Sequence, residues 1–371
     1  MYIFISILIF GILIAIHELG HFLAARIFGV NVPEFAIGMG PVLFRRQGKR
    51  ETLFTLRAIP IGGFCALEDE DSGGSPGRRA DTDEADIDTT AAIPGEGSIM
   101  QKPLWQRLII FLAGPLLNLI AAFIVLVALF STITHIPTTQ IESLVPDFPL
   151  YGEAGLMPGD SFHRINGERV YHHANVAMLL SLSTDGTQDI VVIRDGQRVV
   201  LENLPLQPQI FEGYDMPRYG INFAVNDSPT IGDRLAHSLS TTRDFARQLR
   251  LTVRLFASGQ AGVRDISSVV GIVHVMNQVG QTAETVGLAV QRLAMLTALI
   301  SVSLAVMNLL PIPGLDGGRI FLMIFTWLIE KITRRKLNPK YEGYINTVGV
   351  ALLLCFMAVI VFMDVVQIIT G

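Results

Sequence analysis

His17, Glu18 and His21 stand in the order His-Glu-x-x-His within AIHELGHFLA, residues 15–24. On an α-helix, imidazoles four residues apart project from one face and can hold one divalent metal between them. The carboxylate between them is placed to take a proton from water on that metal, which is the chemistry of metal-assisted hydrolysis. The surroundings are unusual: residues 1–28 form an apolar run long enough to cross a bilayer. Ionisable groups in such a run are costly, and they mark function more often than packing. A catalytic zinc takes three protein ligands and keeps a fourth position open. Asp316, in MNLLPIPGLDGGR (307–319), is the candidate third ligand. It ends another apolar run and precedes Gly317 and Gly318, which let backbones approach closely. Taken alone, Asp316 could equally form a turn or cap the next helix. His135, His163, His172, His173, His237 and His274 all lie between residues 133 and 290 and read as ordinary surface or interior histidines.

The elements that must position these groups are membrane elements. The 371-residue chain is 50% hydrophobic and only 16% charged, with a mean hydropathy of +0.47, which places it among membrane proteins. Four apolar stretches, about 1–28, 106–132, 292–313 and 344–369, are long enough to cross or enter a bilayer. The first lacks the basic start and small-residue cleavage site of a signal peptide and is expected to be retained. Cys65 and Cys355 lie far apart, so no disulfide framework is expected. A net charge of −5 gives no basis for a nucleic-acid partner. Arg26, Arg45, Arg46, Lys49, Arg50 and Arg107 lie between the first two stretches, and Lys331, Arg334, Arg335, Lys336 and Lys340 between the last two. Basic residues near span ends mark cytoplasmic connections. The N-terminus and the long 133–290 region are therefore expected on the opposite, extracytoplasmic face, and the His-Glu-x-x-His end near the cytoplasmic side.

Six segments follow. Residues 1–67 carry the first span and, in TLRAIPIGGFCAL (55–67), short strands with a Gly62-Gly63 turn. Residues 68–98 are acidic and nearly free of large apolar side chains, so a disordered cytoplasmic insert is expected. The second span occupies 99–137. Residues 138–225 read as one soluble β-rich module, with a two-residue Asp195-Gly196 hairpin turn. A partly amphipathic helical connector covers 226–290, and the third and fourth spans lie in 291–371.

HELGH (17–21) and NLLPIPGLDGG (308–318) together resemble the two signatures of the site-2 protease family of intramembrane zinc metalloproteases, and within it the bacterial regulator-of-sigma-E (RseP-like) type. KPLWQRLIIFLAGPLLNLIAAF (102–123) is similar to the family's Gly-Pro-x-x-Asn helix, and AGLMPGD with ING (154–160, 165–167) to its PDZ-like domains. The resemblance covers nearly the whole chain and implies a polytopic α-helical membrane protein with a membrane-reentrant β-hairpin and one inserted extracytoplasmic PDZ-like domain. It implies Zn2+ as cofactor, held by His17, His21 and Asp316, with Glu18 as general base. Gly62 and Gly63 would lie on the substrate-binding β-loop. Asn308 and Pro311 resemble substrate-positioning residues, although the proline could simply kink a helix; Asn118 could serve the same path or make a packing hydrogen bond. The partners implied are the lipid bilayer, single-pass transmembrane substrates such as an anti-sigma factor, and a peptide or new C-terminus bound by the PDZ-like domain. The location implied is the bacterial inner (cytoplasmic) membrane. A membrane scaffold with a structural zinc would need a fourth protein ligand, and none is evident beside the two signatures.

Overall fold

The computed structural model describes residues 1–48, 52–68, 97–146, 148–183, 186–212, 216–259, 268–335 and 340–370. Nearly all of the acidic 68–98 segment, expected to be disordered, lies outside the described residues. In chain order the elements are α1 (Tyr2–Ile27), β1 (Glu34–Gln47), β2 (Leu53–Ala66), α2 (Leu104–Thr132), β3 (Ile136–Leu144), β4 (Ser161–Ile165), β5 (Glu168–Arg169), α3 (Ala174–Ser181), β6 (Gln188–Arg194), β7 (Gln197–Leu204), β8 (Ile221–Asn226), α4 (Ile231–Ala257), α5 (Val269–Gln281), α6 (Val286–Asn308), α7 (Asp316–Thr333) and α8 (Lys340–Thr370). They form two compact units, one of residues 1–125 with 245–371 and one of residues 126–244.

Among the described residues of α1, α2, α6 and α8 are four stretches long and apolar enough to span a membrane. Large side chains such as Phe4, Leu8, Leu116, Ile124 and Phe362 stay exposed along them, as lipid-facing helices require, since their backbone polar groups are satisfied internally. The third helix differs from the apolar run that predicts it: it ends at Asn308, not 313. Pro311 and Pro313 have no N–H to continue it. Asp316 then starts α7.

The first unit also contains more than the single hairpin that Gly62-Gly63 suggests. Glu34–Ile37 pairs antiparallel with Gly63–Ala66 on one side and parallel with Leu53–Leu56 on the other, while Val42–Gln47 pairs antiparallel with Leu53–Arg57. Each long strand is bent back to supply two rungs, with bends at glycines of positive φ, Gly38 (87°) and Gly62 (93°). Gly63–Ala66 is the rung at the edge nearest α1. Two clusters hold the helices: Ala24, Ala25, Val30, Ile110, Phe111 and Met323 around α1, α2 and α7, and Phe10, Leu13, Met276, Leu293 and Ile300 around α1, α5 and α6.

The second unit is a twisted antiparallel sheet of order β7-β6-β4-β3-β8, with β5 on β4. Ile141, Leu156, Ile165, Leu179 and Ile190 form its buried centre. Asp195 and Gly196 both take positive φ between β6 and β7, as a type I′ turn demands. Arg194 holds the 153–160 turn, donating to both oxygens of buried Asp160 at 2.7 and 2.8 Å and to the Gly155 carbonyl at 2.7 Å. Arg234 donates to the Phe130, Ser131 and Ile133 carbonyls, closing the C-terminal end of α2.

A histidine cluster is expected to make this unit sensitive to acid. His172 Nε2 lies 3.1 Å from the fully buried Asp244, and His237 packs edge-on against Phe130 and 5.9 Å from the His172 ring. Burial, then the neighbouring His172 and His173, lower the His237 pKa to about 4. The folded state thus resists a proton that the unfolded chain accepts near pH 6.5. Stability is expected to fall as pH drops from about 6.5 toward 4. Thermal unfolding of the purified chain at pH 7, 6 and 5 checks this: the wild-type midpoint falls, and His237→Gln flattens the fall. Equal falls in both proteins would remove His237 as the cause.

Candidate metal centre

The centre is built in the first unit from both ends of the chain. α1 presents His17 and His21 from successive turns, 8% and 6% exposed, with their Nε2 atoms 3.3 Å apart. Asp316, the first residue of α7, brings Oδ2 to 3.0 Å from His17 Nε2 and 3.2 Å from His21 Nε2. Bonds of about 2.0–2.1 Å to a tetrahedral zinc would separate its ligands by about 3.3 Å, so the three atoms sit at the spacing of three corners. Asp316 Oδ2 is buried and accepts no hydrogen bond in proper geometry despite both imidazoles. Three donor atoms gathered at this spacing fit a cation. Among the described residues this is the one cluster of at least three His, Cys, Asp or Glu side chains able to hold a metal.

The second helix sets the ring orientations. His21 Nδ1 lies 2.8 Å from the Ile110 carbonyl, which can only accept, so the proton sits on Nδ1 and Nε2 keeps its lone pair. Asn118 is fully buried, with its carboxamide 3.5 Å from His17 Nδ1 and its Oδ1 without a partner. Turning that amide places the oxygen toward Nδ1–H and prepares His17 in the same way. The Asn118 carbonyl in turn accepts from Ser301 Oγ of α6 at 2.8 Å.

Glycines allow these approaches. A Cβ on Gly114 would lie 2.4 Å from His21 Nε2 and 3.0 Å from His17 Cε1, and one on Gly20 would lie 2.3 Å from the Ala113 carbonyl oxygen. The helices therefore cross backbone to backbone under the rings. Gly317 and Gly318 do likewise for Asp316, since their Cβ atoms would meet the Leu309 and Ile312 carbonyls at 2.3 and 2.1 Å.

Glu18 lies beside the cage, with the Cys65 backbone N–H of the edge rung near its carboxylate. A Cβ on Gly63 would sit 3.5 Å from Glu18 Cγ, so the sheet edge runs against the acid's side of α1. Asn308, at the end of α6, lies 3.5 Å from His17 Nε2. The structure thus gathers His17, Glu18, His21, Asp316, Asn118, Asn308 and Gly63. Gly62 instead packs against Met39, and Pro311 is exposed on the α6–α7 connection. Sequence reasoning missed Gly114 and the Ile110 carbonyl. The Gly-Pro-x-x-Asn spacing was the available signal for Gly114; a backbone carbonyl leaves none.

Comparison with known proteins follows this geometry. Residues 5–356 match Peptidase family M50. A Clostridium acetobutylicum protein assigned by name to the zinc metalloproteases is 33% identical over 98% of this chain and 96% of its own length. The regulator of sigma-W protease RasP of Bacillus subtilis is 26% identical over 97% of each chain, and the zinc metalloprotease RasP of Bacillus licheniformis is 28% identical over 97% of each.

Proposed function

The chain belongs to peptidase family M50 and is a zinc metalloprotease of the site-2 type, and from that premise we propose that it hydrolyses peptide bonds within or beside the transmembrane segments of single-pass membrane proteins. The observation that carries this reading is the convergence of His17, His21 and Asp316, with Glu18 beside them, on a helix of bilayer-spanning length. Such a site serves substrates already in the membrane.

Bound there, zinc supplies the Lewis acidity that polarises a carbonyl and acidifies a water. Glu18 takes the proton of the attacking water and delivers it to the leaving amine. The edge rung at Gly63 lies against that carboxylate's side chain, while Ile110 and Asn118 hold the imidazoles. Asp316 offsets metal charge within an apolar surrounding. A transmembrane helix hides its peptide bonds, so it must unwind locally before attack. The β1–β2 sheet is the re-entrant element that receives the opened strand: the Gly63–Ala66 rung offers an edge for strand addition beside Glu18, with Gly62 shaping its bend and Asn308, Asn118 and Pro311 along the substrate path.

In this reading the enzyme lies in the bacterial cytoplasmic membrane, with the N-terminus and the PDZ-like β module extracytoplasmic and the metal near the cytoplasmic side. The β module admits substrates after a first extracytoplasmic cut, by size or by binding a new C-terminus. The name of the B. subtilis relative ties that protein to sigma-W regulation, which makes a single-pass anti-sigma factor the first substrate to try; remnant signal peptides are the second.

Purified, detergent-solubilised protein is expected to cut a tagged single-pass substrate inside its apolar segment and to stop when chelator removes zinc. Asp316→Asn is expected to weaken zinc binding by about 100-fold or more, since changing even an outer partner of a ligand costs about 10–100-fold. Cleavage confined to soluble peptides, or undiminished zinc affinity in Asp316→Asn, would overturn the assignment.

A further inference from the structure

Arg319 lies one turn beyond Asp316 on α7, hence on the same face. Its guanidinium sits over the Phe111 ring of α2, with Cζ 5.5 Å from the centroid. Phe111 meets the His21 ring edge-on at 6.3 Å, and the preceding residue, Ile110, supplies the carbonyl that orients His21. Both belong to the apolar cluster of Ala24, Ala25 and Met323 that joins α1, α2 and α7. A guanidinium carried into such surroundings is costly unless it does something there. Unlike lysine, it stays charged and stacks on an aromatic face as a plane.

We propose that Arg319 is a positioning residue of the catalytic centre. Laid over Phe111, it ties the helix that carries Asp316 to the stretch of α2 that orients His21. Two ligands from distant parts of the chain are thereby held at one spacing by a contact that touches neither the metal nor the substrate. The effect on kcat rests on the protease reading above; the clasp between α7 and α2 bears on zinc binding whether or not a substrate is cut.

The experiment uses the full-length, detergent-solubilised chain and reads zinc affinity by chelator competition, thermal stability, and kcat and KM on a tagged single-pass substrate. Arg319→Met is expected to lower zinc affinity about tenfold and kcat with it, KM being little changed. Arg319→Lys keeps the charge but not the planar stack, and so recovers only part of the zinc affinity. Phe111→Leu removes the ring and keeps the charge; it is expected to lower zinc affinity as Arg319→Met does, and it serves as the test if Arg319→Met fails to fold. Wild-type zinc affinity in Phe111→Leu would overturn the clasp. Wild-type zinc affinity in Arg319→Met, or equal loss of zinc affinity in Arg319→Lys and Arg319→Met accompanied by equal loss of thermal stability, would overturn it as well. Wild-type protein that binds zinc and cuts nothing would refute the protease reading, while the two zinc affinities would still decide the clasp.

Discussion

Glu18→Gln is expected to retain stoichiometric zinc and to lose cleavage by about 1,000-fold or more. Glutamine has nearly the same shape, so the packing of the sheet edge at Gly63 against this side chain is kept. The imidazoles and Asp316 are untouched, so metal affinity has no reason to change. What disappears is the group that takes a proton from water and gives it to the leaving nitrogen; such transfers contribute about 10²–10⁴-fold each. Zinc content by metal analysis and cleavage of the single-pass substrate, measured on the same preparation, separate these quantities. Loss of zinc together with activity would mean that Glu18 supports the cage itself. Full activity with zinc bound would mean that another base performs the step.

Gly114→Ala has an equally large expected effect from a single methyl group. Alanine is the better helix former by about 1 kcal/mol, so α2 itself should be at least as helical. The added Cβ would nevertheless sit 2.4 Å from His21 Nε2, the atom that must face the metal. Relief requires either turning the ring, which breaks the 2.8 Å contact of Nδ1 with the Ile110 carbonyl, or moving α2 away from α1, which carries Ile110 and Asn118 off the rings. Each route spoils the ligand spacing. The expected outcome is unchanged helical circular dichroism with zinc affinity reduced about 100-fold or more, the scale at which ligand-orienting contacts act. Gly287→Ala in α6 is the control, because its Cβ would meet nothing within 4 Å; it should bind zinc as the wild type does. A zinc-replete, active Gly114→Ala would show that α2 does not lie against the rings.

These two substitutions mark how differently the parts of the centre can be read. His17, Glu18 and His21 were legible because an i, i+4 relation is local: helix geometry alone puts both imidazoles on one face, and the apolar composition around them makes an idle role expensive. The lengths of the four apolar runs were legible for the same local reason, since a bilayer sets them. The Asp195-Gly196 turn was too, because few residue pairs accept positive φ twice in succession. Asp316 was only half legible. Its residues alone allowed a turn or a cap, and it does begin α7; the resemblance to a family, not any spacing, singled it out as a ligand.

The remainder depends on which surfaces meet, and no local pattern encodes that. Residues 55–67 showed two strands and a glycine pair, yet the sheet has four rungs, because Glu34–Ile37 from before the hairpin lies between Leu53–Leu56 and Gly63–Ala66. Gly114 looked like any helix glycine beside a proline until α1 was packed on it. The Ile110 carbonyl, which decides the tautomer of His21, has no side-chain signature at all. Composition and periodicity determine which segments are helices, which of them suit lipid and where the metal chemistry begins. The approach of His17, His21 and Asp316 to one another, Glu18's place at a sheet edge and the stack of Arg319 on Phe111 are set by contacts between residues far apart in the chain, and these exist only when the whole first unit is assembled.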